Sequence, residues 1–303
     1  MRALITGAGG FAGAHLAALC RASGDAVAEV SRSTGVDLLD AEATRAAVAG
    51  AQPDVVYHLA ARAHVGESWS DPAGFLSDNL GMALNVLEAV RAEAPAATVV
   101  AAASGEVYGA PERLPVSEDA PLRPQSPYAV SKASADLLAG FYADAHGLRV
   151  LRARAFNHAG PGQEPTYAIA SFSRQAAVAA ERGDDPIVFR TGNPDTRRDY
   201  TDVRDVVRAY RLLAERAEPG VYNICSGGSA SARELLQMLA AAAGAGVDHQ
   251  IDPELVRAHE VLEVRGDRGR LTAATGWEPE IPLERTLADT VAWWREQLRA
   301  EVA

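Results

Sequence analysis

Cysteine is scarce in this chain: 303 residues contain only Cys20 and Cys225, and neither has metal-ligand spacing around it. A scaffold stapled by disulfides is thereby excluded, and both thiols are read as buried and free. His58, His64 and His158 match no common zinc spacing, so no metal is expected. Positive charge is also in deficit, with 29 Lys and Arg against 40 Asp and Glu and a net charge of −11. That balance argues against a nucleic-acid or anionic-membrane partner, and it leaves any anionic ligand to individual arginines. No run approaches the roughly 18 apolar residues of a spanning helix. The apolar start of the chain holds a glycine motif in place of a secretory leader, and no internal repeat is visible. These absences point to a cytoplasmic protein, and 48% hydrophobic residues suffice for a large core shared by two joined lobes.

The glycine motif is Thr6-Gly7-Ala8-Gly9-Gly10-Phe11-Ala12-Gly13. It follows a short apolar strand, Ala3–Ile5, and precedes an apolar helical stretch from His15 to Cys20, the context a dinucleotide fingerprint requires. Gly7, Gly10 and Gly13 would let the chain turn sharply, bring backbone N–H groups to a pyrophosphate and pack the helix on the strand. Glycines in a turn are also often only turn residues, and the strand–helix context favours the cofactor reading.

A second motif, Tyr128-Ala129-Val130-Ser131-Lys132, carries proton chemistry. A free phenol has a pKa of about 10, and a lysine one helical turn on would place positive charge beside it and favour proton exchange. The same spacing also suits a half-buried aromatic and a solvated lysine. Ser104, at the carboxyl end of the apolar run Ala101–Ala103, decides between them, because that edge of an open α/β sheet is where ligands sit.

The glycine fingerprint, Ser104, Tyr128 and Lys132 together resemble the extended short-chain dehydrogenase/reductase superfamily, over nearly the whole chain. The fold implied is α/β, a Rossmann-type doubly wound parallel sheet with a smaller α/β substrate lobe. Strand-like runs at 3–6, 26–30, 55–58, 98–102 and 150–154 alternate with helical patterns and agree with that class. Asp40 is suited to cap one helix, and Ser231 with Glu234 forms a capping box before another. Residues 1–155 are expected to form the cofactor domain and residues 156–303 mainly the substrate lobe, where prolines break the pattern into short elements. Segments around 200–226 are expected to return to the first domain, since Val221–Ile224 reads as a strand.

After the second strand the chain reads Val30-Ser31-Arg32-Ser33. Ser31 stands where an NAD-preferring site carries a carboxylate, and Arg32 would meet a 2′-phosphate. NADPH is therefore favoured with NAD possible, the competing reading being a solvated Arg32. Asp37 and Leu38 resemble the superfamily's adenine contact, and Leu59, Ala60 and Ala61 the strand end lining phosphates and ribose. With Gly7, Gly10, Phe11, Ala12, Gly13, Tyr128 and Lys132 they complete the expected cofactor site.

Several stretches resemble members that act on nucleotide-diphosphate sugars, with marks nearest to GDP-6-deoxy-4-keto-mannose reductases: Pro124–Tyr128, Phe156–His158, Arg198–Asp205, Tyr222–Gly227 and Thr275–Leu283. The resemblance implies that Asn157, Arg198, Arg257 and Glu260 contact substrate along with Ser104, and that the enzyme is a homodimer. The match is looser at Arg257 and Glu260. Glu106 stands where dehydratases of the superfamily keep a glutamate that removes a proton, so it joins Ser104, Tyr128 and Lys132 as a candidate catalytic residue; a structural or sugar-hydroxyl role is the reading preferred. Gly105 replaces the polar residue that dehydratases place before that glutamate. Ketone reduction is thus expected, with a 4,6-dehydratase or 4-epimerase as the alternative and a non-catalytic cofactor sensor as a third reading.

Overall fold

The computed structural model describes residues 1–256 and 261–302. The chain opens β1 (Arg2–Thr6), α1 (Phe11–Ala22), β2 (Ala26–Val30), α2 (Ala41–Ala51), β3 (Val55–His58), the single turn α3 (Val65–Ser68), α4 (Pro72–Glu93), β4 (Thr98–Ser104), α5 (Pro127–His146) and β5 (Arg149–Ala155). It continues through β6 (Asn157–Ala159), α6 (Ala168–Arg182), β7 (Ile187–Thr191), β8 (Arg197–Arg198), β9 (Tyr200–Asp202), α7 (Val203–Arg216) and β10 (Gly220–Ile224). The last elements are β11 (Ala230–Ser231), α8 (Ala232–Ala243), β12 (Val247–Ile251), β13 (Glu263–Val264), α9 (Gly269–Thr275) and α10 (Leu283–Val302).

Six strands form one parallel sheet in the order β10-β5-β4-β3-β1-β2. The chain reverses direction across the sheet between β1 and β3, the switch point at which such sheets bind ligands beyond their carboxyl ends. One face is covered by α1 and α7, whose Leu16, Cys20, Val206, Tyr210 and Leu213 are buried against Ile5, Tyr57 and Leu151. The other is covered by α2, α4 and α5 through Val48, Val86, Val90 and Tyr142. This is the doubly wound α/β fold. A separate apolar cluster joins α6, α8 and α10 to β7 and includes Trp294.

Local chemistry sets the helix ends. Asp40 accepts from Glu42 and Ala43 N–H at the start of α2, Ser126 with Pro127 starts α5, and Ser231 and Glu234 form the reciprocal capping box of α8. Two expectations need adjustment. The fourth strand runs past Ala102 to Ser104, because Ala103 and Ser104 continue the pairing with Arg154 and Ala155. The prolines after Phe156 bracket elements more than they break them: α6 fills 15 residues between Pro165 and Pro186. Among the described residues no helix is long and apolar enough to cross a membrane.

Candidate active site

The turn after β1 admits only glycine at two places. Gly7 has φ +72°, and a Cβ on it would lie 2.8 Å from the Ala60 backbone nitrogen; a Cβ on Gly13 would lie 2.1 Å from the Gly7 carbonyl oxygen. Gly7 N–H donates to Val30 and Gly10 N–H to Gly7, both at 2.9 Å. Gly10 then caps α1 with no side chain, so the first-turn amides face the turn. Such a cradle fits the diphosphate of a dinucleotide. Phe11 and Ala12 begin the helix, Ala12 packing on the core, while Phe11 lies edge-on to His15 at 5.6 Å and stacks on His158 at 6.0 Å. On the β3 side, Leu59 and Ala60 N–H donate to Thr6, with half-buried Ala61 next in line.

Beyond β2, Ser31 and Ser33 hydroxyls are 2.7 Å apart, and Ser33 approaches the Gly9 backbone, a placement that no feature of the sequence marks. Arg32 is 72% exposed, its Nε 3.9 Å from Asp37 Oδ2. Asp37 Oδ1 accepts from Leu39 N–H. Leu38 turns inward and packs with Val30, Val48 and Met82.

The second cluster lies at the carboxyl end of β4. Ser104 closes the strand with its Oγ accepting from Glu106 N–H at 3.2 Å. Burial raises the pKa of the Tyr128 phenol, Ser104 beside it pulls the value down, and the charge of Glu106 raises it further. These causes place Ser104, Glu106 and Tyr128 in one cleft. Lys132 is buried and donates to the Ala102 carbonyl, and burial lowers its pKa to about 8 against the pull of Asp136. The sequence suggests an ammonium beside the phenol. In the structure Ser104 is the phenol's polar neighbour and Lys132 Nζ is directed at β4, because its stripe of α5 faces the sheet. His58, hydrogen-bonded to Thr6 at 2.9 Å, is held neutral by burial, its pKa near 3.

Asn79 belongs to no motif of the sequence. Its amide spans α4, α5 and the loop after β3, accepting from Arg62 N–H at 2.7 Å and donating to Ser131 Oγ at 2.8 Å, while Ser131 donates to the Tyr128 carbonyl. A polar residue on the otherwise apolar buried face of α4 is the signal that would have found it. Tyr167, in contact with the His64 ring, lies close enough for its charge to raise the Tyr128 pKa and is a second residue outside the sequence reading.

Asn157 opens β6 and pairs with Tyr200 in β9. Tyr200 feels the charge of both Arg198 and Glu106, so these residues, from three separate segments, border the same cleft. One Nη of Arg198 donates to the Arg197 and Val261 carbonyls, and among the described residues its other N–H groups have no partner. Asp199, 1% exposed, accepts from Ser226, Gly227 and Gly266 N–H and ties the 226–227 and 266 loops to the segment that carries Arg198. Arg257 and Glu260 lie outside the described residues.

Comparison with known proteins agrees with this geometry. Residues 33–290 match the family described as GDP-mannose 4,6 dehydratase. The chain belongs to this family. Within the extended short-chain dehydrogenase/reductases it is 38% identical to the GDP-6-deoxy-D-mannose reductase of Pseudomonas aeruginosa, with 99% of each chain covered. It is 32% identical to the UDP-glucose 4-epimerase of Mycolicibacterium smegmatis, covering 98% of this chain and 99% of that one. The structure of Pseudomonas aeruginosa RMD complexed with NADPH superposes with a TM-score of 0.89 at 37% identity, covering 97% and 98% of the two chains. Family members thus include reductases, dehydratases and epimerases, and this chain is an NAD(P)-dependent oxidoreductase of their type.

Proposed function

We propose that this enzyme reduces a nucleotide-linked 4-keto-6-deoxy sugar with NADPH, converting GDP-4-keto-6-deoxy-D-mannose to GDP-D-rhamnose. The observation that carries the choice is Gly105. A Cβ there would lie 3.0 Å from the Phe156 ring, so a polar side chain between Ser104 and Glu106, which water expulsion would use as proton donor, has no room unless Phe156 moves. The full-length likeness to a reductase points the same way. The exposed Glu106 beside Tyr128 is what favours the dehydratase reading, and starting substrate separates the two, as argued in the Discussion.

Bound NADPH supplies the hydride to C4 of the sugar. Ser104 would hydrogen-bond the carbonyl oxygen, and Tyr128, protonated at neutral pH because burial raises its pKa, would give its phenolic proton to that oxygen as the C4–O bond becomes an alcohol. Lys132, its ammonium against the Ala102 carbonyl, would hold the nicotinamide ribose. The amides of the Gly7–Gly13 turn would hold the cofactor diphosphate, Ser31, Arg32, Asp37 and Leu38 its adenosine end, and Asn157, Arg198, Arg257 and Glu260 the sugar nucleotide. In this assignment residues 1–155, with segments near 200–226, bind cofactor and the remainder of 156–303 binds substrate.

The two arginines should be told apart by which Michaelis constant they move. Arg32→Ala removes one charged hydrogen bond, of roughly 1.5 kcal/mol for an exposed group, and should raise KM for NADPH about tenfold while NADH is unaffected. Arg198→Ala should raise KM for the keto-sugar and leave that for NADPH alone, with a smaller loss in kcat. An unchanged NADPH/NADH ratio of kcat/KM in the first, or an unchanged sugar KM in the second, would remove that residue from its assigned place.

A homodimer is part of the proposal. Leu80 and Leu84 on α4 and Val130, Leu137 and Phe141 on α5 form an exposed apolar stripe, with Leu137 59% and Phe141 57% accessible, which suits a two-fold pairing of helices with a second copy. Sedimentation equilibrium should give the mass of two chains, and Phe141→Glu the mass of one; a monomeric parent would refute the pairing. Two buried free thiols fit a reducing, cytoplasmic setting.

A further inference from the structure

Tyr128, Lys132, Asp136 and Gly140 follow one another at i+4 along α5, so they form a single stripe facing the sheet. Asp136 is fully buried. Its Oδ2 is 2.7 Å from Arg154 Nη2 and 3.6 Å from Arg152 Nη1, and Arg154 Nε lies 3.4 Å from Oδ1. Both arginines stand on β5, two residues apart and on the same face. Gly140 leaves the opening through which Arg152 arrives, for a Cβ there would lie 2.9 Å from its Nη1. Arg154 is fixed on its other side by the Tyr108 hydroxyl at 2.9 Å and the Glu118 carbonyl. Lys132 and Asp136 both line a cavity of about 20 Å³ whose walls also include His58 and Asn79, with room for one water molecule.

Two guanidiniums around one buried carboxylate do little for stability that apolar residues would not do as well. Of these three charges it is that of Asp136 that reaches Lys132 at the next turn of the helix, raising its pKa against burial. We propose that Asp136 is a positioning residue for the reaction: its carboxylate, one turn below Lys132, keeps the Arg152–Arg154 pair from expelling the ammonium charge that the reaction needs there. The other groups facing Lys132 do not replace it. From β3 comes neutral His58, from α4 the uncharged Asn79, from β4 only the Ala102 carbonyl, and from α5 the protonated Tyr128.

The inference rests on the role given to Lys132 above, yet its test needs no turnover. Lys132 is the only lysine in the chain, so protein grown on lysine enriched with carbon-13 at the ε position gives one lysine side-chain resonance, and its pH titration reads this group alone. Parent protein should titrate near pH 8. Asp136→Asn should move the midpoint down by about one unit or more, and Arg152→Gln, which removes an opposing charge, should move it up. Asp136→Glu should restore the parent midpoint. In the reductase assay the loss of activity on the alkaline side should move with the same shifts, because the ammonium is present only below its pKa; a merely structural defect would scale the whole profile and leave the limb in place. If Asp136→Asn fails to fold, Arg152→Gln alone decides. A midpoint unchanged in Arg152→Gln, or unchanged in a folded Asp136→Asn, overturns the proposal, whatever substrate the enzyme proves to use.

Discussion

Tyr128→Phe is expected to lower kcat by about 10²- to 10⁴-fold, the usual contribution of a positioned acid, while NADPH binds as tightly as to the parent. The variant keeps the ring and the α5 backbone, where Ser131 still donates to the residue 128 carbonyl and Ser126 still caps the helix. Only the proton is lost. Burial lifts the parent phenol's pKa, so it is fully protonated at neutral pH, and neither His58 nor Lys132 is an equivalent donor: His58 is held neutral and bonded to Thr6, and the Lys132 ammonium is engaged by Ala102. Stopped-flow single turnovers with NADPH and keto-sugar, alongside fluorescence titration of NADPH, check both halves. Near-parental kcat in Tyr128→Phe would remove the phenol from the role of donor.

The second large effect lies in the choice of starting material. A reductase cannot begin from a sugar whose C4 is still an alcohol, whereas a dehydratase first oxidises that alcohol and regenerates its cofactor within the cycle. GDP-mannose alone is therefore expected to give no product, and the 4-keto-6-deoxy sugar to oxidise one NADPH per ketone. Glu106→Gln should keep at least about a tenth of the reductase rate, an allowance of roughly 1.4 kcal/mol in the barrier, since the carboxylate has no necessary part in hydride transfer and the amide keeps its shape. Formation of a 4-keto product from GDP-mannose without added NADPH, abolished in Glu106→Gln, would replace the reductase with a dehydratase and give Glu106 the role of base.

The doubly wound sheet was legible because each of its early strands is a short apolar run followed by a turn signal, and the runs at 26–30 and 55–58 match β2 and β3 residue for residue. The proton-transfer cluster was legible in type, since Ser104 and the Tyr128–Lys132 spacing carry their chemistry in one-dimensional form. Its wiring was not. The contact of Lys132 with Ala102, the Asn79–Ser131 link and the arginines behind Asp136 join residues far apart in the chain, and only packing brings them together. Asp199 shows the same limit: its neighbours Arg198 and Tyr200 stand out as a motif, while the loops at 226–227 and 266 that it gathers give no sign in the sequence of meeting there.

The edge strand β10 has a bearing on how such enzymes diversify. It enters the sheet beside β5 only after the chain has built β6 to β9 and α7, and α7 in turn covers α1. A cut after residue 155 would therefore leave the β5 edge bare and the Leu16–Cys20 side of α1 uncovered, an invitation to edge-to-edge association. The half that holds the sugar is not a cassette that recombination can exchange at a single junction. New substrates are more readily reached by altering loops around an unbroken frame, or by a double crossover that leaves α7 and β10 with the frame.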